Sequence, residues 1–191
     1  LRMAWIANAL AYGVVATLNY HYPKYLASLG RGASMYGLFQ ALVYVAETGT
    51  FLVLQRWRGW HYRRAPLYLA QAQLALLVLL LPFVHAPALL LVLAPGIGVV
   101  IGMSYQSSLY YSLHAAEARG KNTGLHEAVL GSGSLVVPFL GGTLAARTGQ
   151  LAAPYLVCAG LALLGLVAEE WVARRADYEA RGGSATMTGG A

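Results

Sequence analysis

The sequence predicts an all-α membrane protein with six transmembrane helices, and three observations carry that prediction. Of the 191 residues, 58% are hydrophobic and only 10% charged, too little charge to clothe a surface that faces water. The mean hydropathy is positive. The apolar residues gather into long runs, six of which approach the roughly 20 residues a helix needs to cross the hydrocarbon core. These runs are residues 3–26, 34–55, 66–84, 88–113, 122–146 and 152–173. The connections are short and leave no room for a separate soluble domain. Residues 176–191, rich in Gly, Ser, Thr and Ala, read as a disordered tail.

Charge placement gives a topology. The formal net charge of +6 sits between the spans and not on one soluble face, which argues against a nucleic-acid partner. With both ends cytoplasmic, that side holds Arg2, Arg56, Arg58, Arg63, Arg64, Arg119, Lys121, Arg174, Arg175 and Arg181, leaving Lys24, Arg31 and Arg147 outside. This positive-inside bias fits a multi-pass protein of the plasma or inner membrane. The chain opens at Leu1 and enters a span directly, so it reads as a piece of something longer, without the charged start and cleavage site of a signal peptide. Cys158, the single cysteine, reads as a small packing residue in the last span.

The first span places Asn8, Tyr12, Val15 and Asn19 on one face and ends in Tyr20, His21, Tyr22 and Pro23, an aromatic interface anchor. An amide facing lipid is costly, so Asn8 and Asn19 point into the bundle or a water-filled cavity, as glue between helices or as solute contacts. The second span stacks Tyr36, Gln40, Tyr44, Glu47 and Phe51 at steps of four and three. Glu47 lies near its middle. A carboxylate at that depth costs about 3 kcal/mol on insertion scales, so Glu47 is protonated, paired or open to a cavity.

The stretch Gln55-Arg56-Trp57-Arg58-Gly59-Trp60-His61-Tyr62-Arg63-Arg64 reads as a tight interfacial turn facing anionic headgroups. The third span begins at Pro66. After Gln71 and Gln73 it is nearly pure Leu, Ala and Val, as suits a peripheral, lipid-exposed helix. The fourth is interrupted by Pro95-Gly96-Ile97-Gly98, which should bend or loosen it. It pairs Gly98 with Gly102 in small-xxx-small spacing, then carries Ser104, Tyr105, Gln106, Ser107, Ser108, Tyr110 and Tyr111. Tyr105 and Gln106 read as cavity lining, and His114 and Glu117 as solvated loop residues.

The fifth span follows the charged elbow Arg119-Gly120-Lys121-Asn122. At helical spacing Gly124, Glu127, Gly131, Ser134, Pro138 and Gly142 share one face, the mark of a helix packed closely on its neighbours. Glu127, beside His126, is either a proton-responsive group or a carboxylate favoured by the helix N-terminus. The sixth span has no interior charge before Glu169 and Glu170 at its end and reads as peripheral. Spans one, two, four and five are thus polar on one face, and three and six are not. Leu54, Arg56 and Gly59 before Pro66-Leu67-Tyr68-Leu69 echo Leu144, Arg147 and Gly149 before Pro154-Tyr155-Leu156, as a 3+3 inverted repeat would give.

On these residues the chain resembles the C-terminal six-helix half of a major facilitator superfamily transporter over nearly all of residues 1–175. The resemblance rests on the stretch from Arg119 to Gly142, ending Gly133-Ser134-Leu135-Val136-Val137-Pro138-Phe139-Leu140-Gly141-Gly142, and on Arg56-Trp57-Arg58-Gly59 through Arg63-Arg64. That loop resembles the second copy of the family's Gly-x-x-x-Asp-Arg-x-Gly-Arg-Arg loop but lacks its acidic residue. The resemblance implies a half-bundle whose first, second, fourth and fifth helices line a cavity. It also implies alternating access by rocking against a second six-helix half, in the same chain, in another chain or in a second copy.

The expected function is secondary transport of a small solute, coupled to protons, with efflux preferred. Asn8, Tyr12, Gln40, Tyr44, Tyr105 and Gln106 are the expected substrate contacts. Glu47, Glu127 and His126 are the expected proton-coupling groups, because burial disfavours the charged carboxyl and lets it exchange a proton. Such a cavity suits cationic or neutral amphiphiles, or sugars, better than anions. The alternative is a non-transporting half-size membrane scaffold or receptor module. An intramembrane enzyme is disfavoured, as the sequence has no HExxH, no Gly-x-Ser-x-Gly and no paired intramembrane aspartates. No cofactor and no metal are expected.

Overall fold

A computed structural model describes the backbone of residues 1–115 and 119–187, and the side chains of 1–115 and 120–179. Glu117 and the last four residues of the expected tail lie outside the described residues. Among the described residues there are six α-helices and no strand. They are α1 (Arg2–Ser28), α2 (Ala33–Arg56), α3 (Ala65–Leu80, continued by a 3-10 turn at Leu81–Phe83), α4 (Pro87–His114), α5 (Arg119–Thr148) and α6 (Ala153–Met187).

Local sequence sets the helix ends. Pro66 and Pro87 sit in the first turns of α3 and α4, where the missing N–H is no loss. Gly30, at φ +71°, follows α1; the Arg31 N–H bonds the Leu26 carbonyl and the Gly30 N–H that of Ala27. That is the paired closure of a Schellman cap. Gly149, also at φ +71°, closes α5 by a single bond to the Ala145 carbonyl. Pro95 lies inside α4, which runs on through it to His114.

Five helices, α2 to α6, are long and apolar enough to cross a bilayer, and the chain is an integral, multi-pass membrane protein. Of the six expected spans, the first, α1, does not meet this criterion. α1 has the length, at 27 residues, but Asn8, Asn19, His21 and its tyrosines dilute its apolar content. It also touches every other helix, with Ala4, Ala7, Ala11 and Leu18 almost wholly buried. A helix covered by protein need not be apolar all round.

The helices pair through glycines. α2 packs chiefly on α4 and α1 chiefly on α5. A Cβ on Gly98 would collide with the Val43 carbonyl, and one on Gly102 would lie 2.8 Å from Thr50 Cβ and 3.0 Å from the Glu47 carbonyl. A Cβ on Gly133 would collide with the Ala9 carbonyl, and one on Gly13 with Val137. The Gly98–Gly102 pair therefore packs as its spacing predicts. On α5 the expected face packs only in its second half, where Ser134 and Pro138 meet the Tyr12 carbonyl and His21 and a Cβ on Gly142 would lie 2.8 Å from His21. Gly133, Val137, Gly141 and His126 are buried, whereas Gly124 and Gly131 are open and Glu127 is exposed.

α3 and α6 also depart from the expectation of plain peripheral helices. Gln71 and Glu169 are fully buried and face one another between them. Further along the same seam Tyr68 donates to Glu170 at 2.8 Å, and Arg64 holds Asp177 through two bonds of 2.8 and 2.6 Å. α6 continues to Met187, past its expected end at 173 and into the segment expected to be a disordered tail. The Arg64–Asp177 pair ties that extension to the start of α3.

Gly98→Ala and Gly133→Ala should each lower stability by about 1–3 kcal/mol, because the added methyl meets backbone that cannot rotate away. Gly131→Ala, into open space, should be neutral or stabilising. Thermal or SDS-induced unfolding in detergent measures the contrast.

Candidate functional site

Four helices bring polar side chains to one seam. From α2, Glu47 is 9% exposed, and the Tyr12 hydroxyl of α1 donates to its Oε1 at 3.3 Å. The Tyr12 ring lies 5.5 Å from that of Tyr105 on α4, which also meets Phe51 of α2 at 5.5 Å. Tyr105 stands edge-on to the His126 ring of α5 at 5.2 Å. His126 is fully buried; its Nδ1 shares a 2.7 Å hydrogen bond with Ser108 Oγ, and its Nε2 lies 3.7 Å from Glu127 Oε1. An unbroken line of side chains therefore joins Glu47, through Tyr12 and Tyr105, to His126 and Glu127.

The α2–α4 and α1–α5 crossings fix this line. Gly102 lets α4 lie against the backbone at Glu47, and Gly133 lets α5 lie against the backbone just before Tyr12. Ser134, the next residue, is 3.5 Å from the Tyr12 carbonyl. The two acids differ in setting. Glu47 is covered and hydrogen-bonded, whereas the Glu127 side chain is 61% exposed on the open face of α5.

Further along α1 and toward the start of α2, the Asn19 side-chain oxygen is the hub of a second group. Gln40 Nε2 donates to it at 2.5 Å, Tyr36 at 3.4 Å and Tyr44 at 3.5 Å. Asn19 and Tyr44 are exposed and Gln40 is buried. This polar patch opens on the uncovered side of α2 and lies one helical turn from Glu47 along that face.

Two expected contacts stand apart. Asn8 is fully buried and neither atom of its amide has a hydrogen-bond partner. It lies on the α1 face turned to α4, between Trp5, which donates to Ser112 at 3.0 Å, and Tyr12. Ser104 of α4 is likewise fully buried with an unpartnered hydroxyl. Gln106 is removed from the seam altogether. It is one residue past Tyr105, hence about 100° around the helix, and lines a cavity with Gln55, Arg58, His61, Tyr110 and His114. His114 is exposed, as expected, but it is the last residue of α4 and not a loop residue, and it stacks on Tyr110 at 4.0 Å.

Sequence reasoning did not single out Ser108, which fixes the His126 ring, nor the burial of Gln71 and Glu169. A signal for Ser108 existed: it is four residues from Ser104 and from Ser112 in a run of hydroxyls, so one stripe of α4 is small and polar. Glu169 had none, since nothing in the chain separates it from its half-buried neighbour Glu170.

No protein-family model, no curated protein and no solved structure matches the chain.

Glu47→Gln should leave the fold within about 1 kcal/mol of the parent, because the amide oxygen still accepts from Tyr12. Glu47→Leu leaves the Tyr12 hydroxyl without its acceptor and should cost about 1–3 kcal/mol. Unfolding of both variants in the same detergent separates the two outcomes.

Proposed function

We propose that this chain is a six-helix half of a secondary transporter that moves a small solute across the plasma or inner membrane in exchange for protons. The observation that carries the reading is Glu47. It is an acid near the middle of an apolar helix, held by Tyr12 and continuous with the Asn19, Gln40 and Tyr44 patch on an uncovered face. Intramembrane acids are retained where they bind ions, protons or substrate.

Three further features support it. The apolar stretches of α2 and α5 are each only 22% buried, against 50% for α4, so these two helices offer surface for a second six-helix half. The pairing of α1 with α5 and of α4 with α2 is what two three-helix units exchanged by a two-fold axis would give, in keeping with a 3+3 inverted repeat. Among the described residues no Lys or Arg lies on the Glu47 seam: they sit in the loops, near helix ends or, as Arg174 and Arg175, on the extension of α6, so an acidic, aromatic and amide-bearing seam favours cationic or neutral amphiphiles. Export of such compounds is the preferred direction.

In this cycle Glu47 takes a proton in one orientation of the two halves and releases it in the other. Tyr12 and Tyr105 hold the aromatic wall, and Gln40, Tyr44 and Asn19 supply polar contacts. His126 and Glu127 form a second proton-responsive pair at the other end of the line. Asn8 and Gln106 lie off it: Asn8 is covered within the bundle, and Gln106 belongs to a separate cavity. The resemblance to the major facilitator superfamily agrees with this mechanism.

The test uses the full-length protein in proteoliposomes, with tetraphenylphosphonium and ethidium as probes and an imposed pH gradient. Glu47→Gln should abolish gradient-driven probe movement while probe-for-probe counterflow persists. Gradient-driven flux at the parental rate in Glu47→Gln would overturn the assignment, and a protein that moves neither probe in either mode would favour the scaffold reading.

A further inference from the structure

The segment between α2 and α3 folds back on the end of α4. Trp60 is the wedge: it is 1% exposed, and its indole N–H donates to the Leu54 carbonyl at 3.1 Å. Two residues on, Tyr62 holds a left-handed backbone at φ 57°, and its N–H donates to the Tyr111 hydroxyl at 2.8 Å. A non-glycine residue in that region is uncommon and needs surrounding contacts to keep it there. His61 lies between these two anchors and stacks on Tyr110 at 4.2 Å, while His114 stacks on the same ring at 4.0 Å. Two imidazoles are thus fixed by one phenol ring. A backbone bond of 3.1 Å from the His61 N–H to the Arg58 carbonyl closes the turn that carries Arg58.

Arg58, Trp60, His61, Tyr110 and His114 line an open cleft of about 430 Å³ together with Gln55 and Gln106. Its chemistry is one-sided. It offers a guanidinium, two imidazoles, two carboxamides and a phenol hydroxyl. Among the described residues no carboxylate lines it and Arg58 makes no ion pair. Arg64, by contrast, has its charge answered by Asp177.

We propose that this cavity is a binding site for a phosphate-bearing anion, with Arg58, His61 and His114 as its charged contacts. Arg58 supplies the forked donor set that matches phosphate oxygens. Gln55 and Gln106 add neutral N–H donors, and Trp60 and Tyr110 form the walls. Burial first, and then the neighbouring Arg58 and His114, hold the His61 imidazole below its ordinary range. An anion between these groups reverses that last effect and draws a proton onto the ring. The segment sits where a membrane helix ends, so the phosphate is that of a lipid headgroup or of a free solute. Both present the same chemistry to the site. The inference does not depend on transport, since the cavity is separate from the Glu47 seam.

The experiment uses full-length protein purified in maltoside detergent and stripped of phospholipid. Binding is read by native mass spectrometry with dihexanoyl phosphatidic acid, dihexanoyl phosphatidylcholine and inorganic phosphate as probes. Phosphatidic acid should bind about tenfold more tightly than phosphatidylcholine, and the double variant Arg58→Gln/His61→Gln should lose that preference. Lys24→Gln, at the other end of α1, should keep it. If inorganic phosphate binds as well as phosphatidic acid and is lost in the same variant, the ligand is a free phosphate; if it binds far less well, the ligand is a lipid headgroup. Should the double variant fail to fold, Arg58→Lys and Arg58→Gln, both at an exposed side chain, take its place, with binding retained in the first and weakened in the second. Equal binding of the two lipids without binding of inorganic phosphate, no binding of any probe, or a preference unchanged by these substitutions would overturn the proposal.

Discussion

The close approach of backbones at Gly98 and Gly102, and at Gly13 and Gly133, is the contact on which the rest of this structure depends. Within a bilayer the hydrophobic effect does not draw one apolar helix onto another, so association rests on contact area and on polar bonds between helices. Glycine provides the first by letting a neighbouring carbonyl lie where a side chain would be. The two crossings also position the chemistry. Gly102 abuts the backbone at Glu47 and Gly133 the backbone before Tyr12, so the carboxyl and the phenol meet because two helix pairs are allowed to touch.

Polar groups in this bundle then divide by setting. Where a partner lies within reach they are bonded: Tyr12 to Glu47, Ser108 to His126, Gln40 to Asn19, Thr17 to the carbonyl of Gly13. Asn8, Ser104, Gln71 and Glu169 are covered and lack bonds of normal geometry. Each such group carries a desolvation cost of about 1–3 kcal/mol, so the core of this protein is less settled electrostatically than its packing implies. The α3–α6 seam shows how the cost is contained. Its outer rungs, Tyr68 with Glu170 and Arg64 with Asp177, are well bonded and hold the two helices around the covered Gln71 and Glu169.

The end of the bundle at residues 57–64 is organised differently. Trp60, His61, Tyr62, Tyr110, Tyr111 and His114 form one continuous group of ring contacts. Aromatic rings carry both apolar area and polar edges, which suits the boundary between hydrocarbon and water. Here they also stiffen a loop, so that its basic residues have defined directions and do not simply coat a surface.

The sequence by itself determined the class, the helix count and nearly every helix end, because length, hydropathy and the signals of Pro and Gly are local properties. It also singled out Glu47, Tyr12, Gln40, Tyr44 and Tyr105, since helical spacing puts polar residues of one helix on one face without reference to any other. Only the tertiary structure decided which faces meet. It turned the packed side of α5 from Gly124 and Gly131 to Gly133 and Val137, and covered Asn8. It sent Gln106 to a different cavity from its neighbour Tyr105 and buried Glu169 while leaving Glu170 paired at the edge. It also enclosed α1, whose composition falls short of a lipid-facing span. The physical reason is common to all of these. A helical period fixes angles about one axis, but the rotation of each helix against its neighbours is set by where backbones can approach, and that depends on pairs of helices far apart in the chain.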